Sequence, residues 1–163
     1  DQLSFERGDI HAYQAEFPVD MIITLHACDT ATDYALYNAI KWDARLIFSV
    51  PCCQHELNNQ IETAELSLLT KYGIVKERTA ALITDAIRGS LLEACGYKVQ
   101  LLEFVDLAHT PKNILIRAKK TRSTATKKAQ ALTEVNNAIA AFTLAPTLYQ
   151  LLEQDKLINS NKI

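Results

Sequence analysis

The chain has 163 residues, of which 48% are hydrophobic, and it carries a formal net charge of −2. This length predicts one domain that buries roughly 70% of the surface exposed by the unfolded chain. The small net charge excludes a global attraction to nucleic acid or membranes, and no apolar run approaches the ~20 residues of a membrane span. Two of the four cysteines, Cys52 and Cys53, are adjacent. Such spacing is a poor disulfide framework and indicates a cytoplasmic protein with reduced thiols.

The chain opens on Asp1 without a methionine, and Leu3-Ser4-Phe5 reads like the end of a strand. We therefore expect a fragment whose upstream half is missing. Asp9 follows Gly8 in a predicted turn, where its side chain could simply cap that turn.

The first half of the chain alternates strands and helices. The apolar run at residues 20–25 predicts a buried strand, and residues 45–50 predict a second one. Between them the apolar spacing predicts a helix over residues 30–41, capped by Asp29 or Thr30.

The second half is predicted to contain two helices and two strands, at residues 55–72, 77–95, 97–104 and 113–118. Gly73 closes the first of these helices, and Gly96 supplies the C-cap of the second. The second helix should bury one side that carries Leu82, Ile83, Ala86, Ile87, Leu91 and Leu92, and Cys95 should be a packed core thiol. The link at residues 105–112 is too short for a parallel crossover, so the two strands should run antiparallel.

This order predicts an α/β fold with a mostly parallel sheet and an antiparallel late strand. The tail differs: residues 112–128 hold seven Lys or Arg and no acid, and residues 129–158 look helical with a break at Pro146. Such a basic segment is usually solvated, although its charges could also neutralise RNA phosphates. Aromatic residues do not interleave with it, so base stacking is not indicated.

Histidine and cysteine follow both buried strands, at the strand ends where ligands bind in such sheets. The residues are His26, Cys28, Cys52, Cys53 and His55. They have the chemistry of a zinc site, but adjacent cysteines chelate one ion poorly. A cysteine nucleophile beside histidine is a second interpretation, without a recognisable oxyanion hole. The third interpretation is structural: Cys52 and Cys53 pack under the rim of the sheet, and His26 and His55 make ordinary hydrogen bonds.

The segments LHACDTATDYAL and VPCCQHEL give the chain a family resemblance. Over roughly residues 3–120 it resembles class I S-adenosylmethionine (SAM)-dependent methyltransferases. More narrowly, it resembles the C-terminal portion of the methyltransferase-domain family in which these two segments follow strands four and five. The resemblance implies a partial Rossmann-like sheet of strands 3–7, with strand seven antiparallel. It also implies that residues 1–120 are the C-terminal portion of a methyltransferase domain, with SAM as cofactor. The basic linker and helical tail at residues 121–163 are predicted from the residues themselves. A related pattern in tRNA 2′-O-methyltransferases points by analogy to RNA as the substrate.

The resemblance also implies roles for individual residues. The cofactor would contact Gly8, Asp9, Ile10, His26 and Ala27, with the Asp9 carboxylate accepting from the adenine amino group. The catalytic set would be His26, Cys28, Asp29, Cys52, Cys53 and His55, with His26 as general base and no metal ligand assigned. Thr32 and Asp33 should orient the helix and loop, and Leu3 to Phe5 should end strand three.

One departure from the family is the lack of a glycine-rich loop. The four glycines are Gly8, Gly73, Gly89 and Gly96, and none forms a G-x-G. We therefore expect this chain to be inactive alone. The sheet edge left open should pair with a second copy in a homodimer. The alternatives are a non-catalytic RNA- or protein-binding module and a zinc-stabilised domain.

Overall fold

Ten helices and strands form the described part of the chain in this computed structural model, which covers residues 3–103, 105 and 114–159. In chain order they are β1 (Met21–Leu25), α1 (Thr30–Lys41), β2 (Leu46–Val50), α2 (His55–Gln60), α3 (Ser67–Thr70), α4 (Gly73–Ala94), β3 (Tyr97–Glu103), β4 (Ile114–Lys120), α5 (Ala125–Phe142) and α6 (Thr147–Gln154). The predicted α/β class is confirmed, and the first three elements lie within one residue of their predicted bounds.

The four strands form one sheet in the order β1-β2-β4-β3. β1 and β2 are parallel, whereas β4 runs antiparallel to both β2 and β3. The predicted antiparallel pairing of the last two strands is therefore confirmed. Of the predicted link at 105–112 only Val105 is described, and the predicted strand ends Phe104 and Asn113 lie outside the described residues.

The core lies between one face of this sheet and the helices. Side chains alternate across a strand, so Ile47, Ile116 and Ala118 point to this face and are fully buried. The helical side chains packed with them include Leu36, Ala39, Leu57, Ile87, Leu91, Leu92, Val135, Leu148 and Leu152. None of the described helices is long and apolar enough to cross a membrane.

The helix predicted at residues 55–72 is wrong, because the chain leaves the helical conformation between α2 and α3. Ile61 ends α2 with φ −56° and ψ 113°, and its side chain is buried in the core. The next amide, Glu62 N, donates to Phe142 O at 3.1 Å instead of continuing the helix. Gly73 begins α4 instead of closing the preceding helix.

The buried side of α4 also differs from the prediction. Leu82 is 61% exposed and Ala86 is exposed as well. Thr84, Asp85 and Arg88 take the buried positions, together with the predicted Ile87, Leu91 and Leu92. The side of α4 that faces the core therefore includes polar side chains, which form hydrogen bonds inside the protein. Gly96 directly follows the C-cap residue Cys95 and has φ 95°, which agrees with the predicted glycine stop.

Residues 3–5, predicted as the end of a strand, are not in a strand, and Leu3 and Phe5 are 72% and 90% exposed. No strand lies beside them in the described ranges. The following segment instead lies against α1, where Asn38 Nδ2 donates to Ile10 O at 2.8 Å.

The C-terminal helices start earlier than predicted but break where predicted. α5 begins at Ala125, because the Thr124 hydroxyl accepts from Lys127 N at 3.3 Å and caps it. Pro146 then separates α5 from α6.

Candidate active site at the carboxyl ends of β1 and β2

Two loops meet at one edge of the sheet. β1 and β2 are parallel and end in register at the pair Leu25 and Val50, so both following loops leave the sheet together. Their sulfur atoms are in contact: Cys28 Sγ lies 3.1 Å from Cys52 Sγ, which lies 3.5 Å from Cys53 Sγ. The structure thus assembles three of the predicted site residues, with all three sulfurs within 4.8 Å of one another.

The two predicted histidines stand apart from this sulfur group. His26 and His55 are exposed, and their ring nitrogens do not belong to the set of ligand atoms within 4.8 Å. The five-residue zinc set considered from the sequence is therefore not assembled in the described structure.

The environment of the cysteines affects their reactivity. The hydrogen bond to Cys28, followed by burial, raises the pKa of Cys52 to about 12. Cys52 is therefore a thiol at neutral pH, which argues against it as a thiolate nucleophile. Cys95 packs against the core, as predicted, and burial raises its pKa to about 11. All four cysteines are free thiols.

The loop after β1 has an unusual backbone. His26 has φ 57°, and Asp29 has φ 52° with ψ −124°, in regions that residues with a Cβ rarely adopt. The Thr32 hydroxyl donates to Ala27 O, and Ala31 N donates to Cys28 O at 3.1 Å. These bonds to the first turn of α1 hold the loop, in agreement with the orienting role predicted for Thr32.

Asp29 connects the two loops instead of capping α1. It occupies the N-cap position of α1, but its side chain makes no capping bond there. Its Oδ1 accepts instead from Glu56 N at 3.0 Å, in the first turn of α2. The Glu56 carboxylate accepts from Thr147 Oγ1 at 2.5 Å and Thr147 N at 3.3 Å, which ties α2 to α6. Burial raises the pKa of Glu56 despite these bonds.

A buried ion cluster that the sequence reasoning missed lies beneath both loops. Arg88 is 1% exposed, and its Nε and Nη2 donate to Asp33 Oδ1 and Oδ2 at 3.0 and 2.7 Å. Its Nη1 donates to Asp85 Oδ1 at 3.2 Å, and its Nη2 also donates to Asp29 O at 2.9 Å. The other oxygen of Asp85 accepts from Gln54 Nε2 at 3.0 Å. Arg88 therefore contacts the first loop directly and the second through two side chains.

This cluster places one cation between two carboxylates. Burial raises the pKa of Asp85 to about 6, although Arg88 and Gln54 act in the opposite direction. Burial lowers the pKa of Arg88, but Asp33 and Asp85 outweigh it, so the net shift is upward. The sequence did hold a signal for this cluster. Asp85 and Arg88 are three residues apart in a predicted helix, on the same side as Leu91 and Leu92, and such a spacing brings an acid and a base into contact.

The predicted cofactor residues are divided between two places. Gly8, Asp9 and Ile10 line a cavity of about 400 Å³ formed by the N-terminal segment. His26 and Ala27 do not line it. Asp9 Oδ1 accepts from His11 N at 3.0 Å, which closes a turn, as the alternative interpretation of Asp9 predicts.

Residues 1–60 match the family model of a methyltransferase domain. The matched range includes β1, α1, β2, both cysteine-bearing loops and the segment with Asp9. This part of the chain is therefore similar to a methyltransferase domain, which agrees with the predicted resemblance over these residues. No curated protein and no solved structure matches the chain.

Proposed function

We propose that this chain provides the methyl-transfer edge of a class I SAM-dependent methyltransferase domain. The observation that carries the proposal is the family match, because it covers both loops at the carboxyl ends of β1 and β2. The sheet supports it: β4 lies antiparallel between β2 and β3, the arrangement expected for strand seven of that class.

In the proposed mechanism the chain's residues position the reactants and remove a proton. Asp9, which lines one cavity with Gly8 and Ile10, would accept from the adenine amino group of SAM. The loop from His26 to Asp29 would orient the methyl donor, and the three cysteines and His55 would hold the acceptor. Transfer from a sulfonium needs mainly in-line alignment. His26, exposed at the end of β1, takes the proton of an acceptor hydroxyl or amine.

Calorimetric titration with S-adenosylhomocysteine tests the cofactor step. We expect binding that is weak because this sequence has no G-x-G loop. Asp9→Asn should weaken it about tenfold further, the effect of losing one charge-assisted hydrogen bond. Asp20→Asn is the matched control, because Asp20 is an exposed carboxylate paired only at the surface with Arg45. Absence of binding would refute the proposal and favour a non-catalytic module.

A methylation assay tests the role of His26. His26→Gln should lower the turnover rate of the native protein by about 10²–10⁴, the usual contribution of a general base. His11→Gln is the control, since His11 is exposed and its ring contacts the ring of Tyr34 on α1. Equal rates for both variants would remove His26 from the mechanism.

We further propose that the substrate is RNA, held partly by the basic segment. Its described cations are Arg117, Lys119, Lys120, Arg122, Lys127 and Lys128. Lys119 pairs in register with Leu46 at the start of β2, so the segment's C-terminal part lies at the sheet edge opposite the cysteines. An RNA that reaches both must cross the sheet, which favours a folded RNA over a short single strand.

Binding of a structured RNA as a function of salt tests this substrate class. Replacing Arg122, Lys127 and Lys128 by Gln should reduce the dependence of log Kd on log salt, by about 0.7 to 0.9 per lost phosphate contact. The control replaces three exposed cations outside the basic segment, Lys71, Arg78 and Lys156. An unchanged salt dependence in the first variant would exclude this segment from RNA binding.

The partner we propose for the open sheet edge is a second copy of the chain. β1 is an edge strand of the described sheet, and Met21, Ile23 and Leu25 on it are 45%, 63% and 65% exposed. An unpaired edge with apolar side chains is a template for pairing with another strand. A homodimer through β1 covers both the edge and these side chains.

A further inference from the structure

We propose that Cys28, Cys52 and Cys53 form a three-thiolate site for a thiophilic divalent cation such as Zn²⁺, which spans the loops after β1 and β2. The sequence spacing spoke against a metal site because two of the cysteines are adjacent, but the sulfur positions in the structure remove this objection. Adjacent cysteines chelate poorly if their side chains diverge, but Cys52 Sγ and Cys53 Sγ lie only 3.5 Å apart. Cys52 Sγ also lies 3.1 Å from Cys28 Sγ, and all three sulfurs lie within 4.8 Å of one another. This inference does not rest on the proposed methyl transfer.

The sulfur positions fit one face of a tetrahedron. With a Zn–S bond of 2.3 Å, the sulfurs of a tetrahedral site are about 3.8 Å apart. The two measured separations are 3.1 and 3.5 Å, and no pair of the three exceeds 4.8 Å. Adjustments of a few tenths of an ångström to about 1 Å bring all three into place. Cys28 is exposed and the other two are half-buried, so the loops leave room for this adjustment.

Binding converts three thiols into three thiolates and releases three protons, which gives a complex with a net charge of −1. No oxidant or reductant is needed. The three sulfurs leave a fourth position for water or another ligand atom, and Cys28 at the rim of the site is exposed. A site with three protein ligands and an open position differs from a closed structural zinc site.

Cobalt titration of the reduced, metal-free chain tests the site directly, because thiolate-to-cobalt charge transfer absorbs in the near ultraviolet. We expect saturation at one equivalent and displacement by Zn²⁺. Cys28→Ser and Cys53→Ser should each remove about one third of the charge-transfer intensity and weaken affinity at least tenfold. Cys95→Ser is the matched control, since Cys95 packs against the core outside the sulfur group.

A second variant keeps the test decisive if a serine variant does not fold. Cys28→His retains a ligand, so it should still bind cobalt with a shifted spectrum and two thiolates. The proposal is overturned if the wild-type chain shows no charge-transfer band or if Cys95→Ser weakens binding equally. It is also overturned if the reduced chain loses two thiols to a Cys28–Cys52 disulfide in place of binding metal.

Discussion

Arg88→Met should destabilise the protein by about 3–5 kcal/mol, the usual effect of breaking a buried ion pair. Methionine fills a similar volume but removes the guanidinium's four hydrogen bonds to described residues. Asp33 and Asp85 then remain 3% and 2% exposed without a counter-ion. Asp85 keeps its bond to Gln54, whereas the two described side-chain bonds of Asp33 are both lost. The expected loss is a large part of the stability of a domain of this size.

Urea unfolding followed by circular dichroism and by the fluorescence of the single tryptophan, Trp42, measures this loss. The melting temperature should fall by about 6–20 °C, from 2–4 °C per kcal/mol at this chain length. Arg78→Met is the matched control on the same helix: Arg78 is exposed, so its change should stay within about 0.5 kcal/mol. A loss for Arg88→Met no larger than that of the control would refute the role assigned to the cluster.

Three further predictions concern Asp85, Asp29 and Ile23. Because the pKa of Asp85 is raised to about 6, the folded state binds its proton more tightly than the unfolded state. The Asp85 contribution to stability is thus full below pH ~4 and is lost as the pH rises through about 6. Asp85→Asn should remove this loss, which is worth up to ~3 kcal/mol of the free energy of unfolding. If the free energy of unfolding of the variant and of the wild type changed with pH in parallel, the prediction would be wrong. Asp29→Ala should cost about 1 kcal/mol through the lost bond to Glu56 N, and Asp29→Asn should restore most of it in the same unfolding assay. Ile23→Lys should convert the proposed homodimer to a monomer in sedimentation, whereas Leu82→Lys, at a site 61% exposed on α4, should not. A wild-type chain that sediments as a monomer would refute the homodimer.

Local sequence patterns were sufficient to predict the helices and strands that are apolar and bounded by turns. β1, α1 and β2 came within one residue of prediction, because short apolar runs and a helical repeat have few alternative structures. The convergence of the cysteine-bearing loops also followed from the sequence, since parallel neighbouring strands end at the same edge. The helix predicted at 55–72 failed because a contact distant in the sequence, between Glu62 N and Phe142 O, competes with helical bonding.

The sequence by itself determined the α/β class, the antiparallel late strand and the residues at the strand ends. Only the tertiary structure decided which partners those residues have. It directs Asp29 to α2 instead of α1 and turns Asp85 and Arg88 inward. It also places Cys52 and Cys53 on the same side, facing Cys28. The physical reason is that strand and helix preferences act over neighbouring residues, whereas a buried charge or thiol is stabilised by groups tens of residues away. Such pairings depend on how the helices pack, which local sequence does not specify.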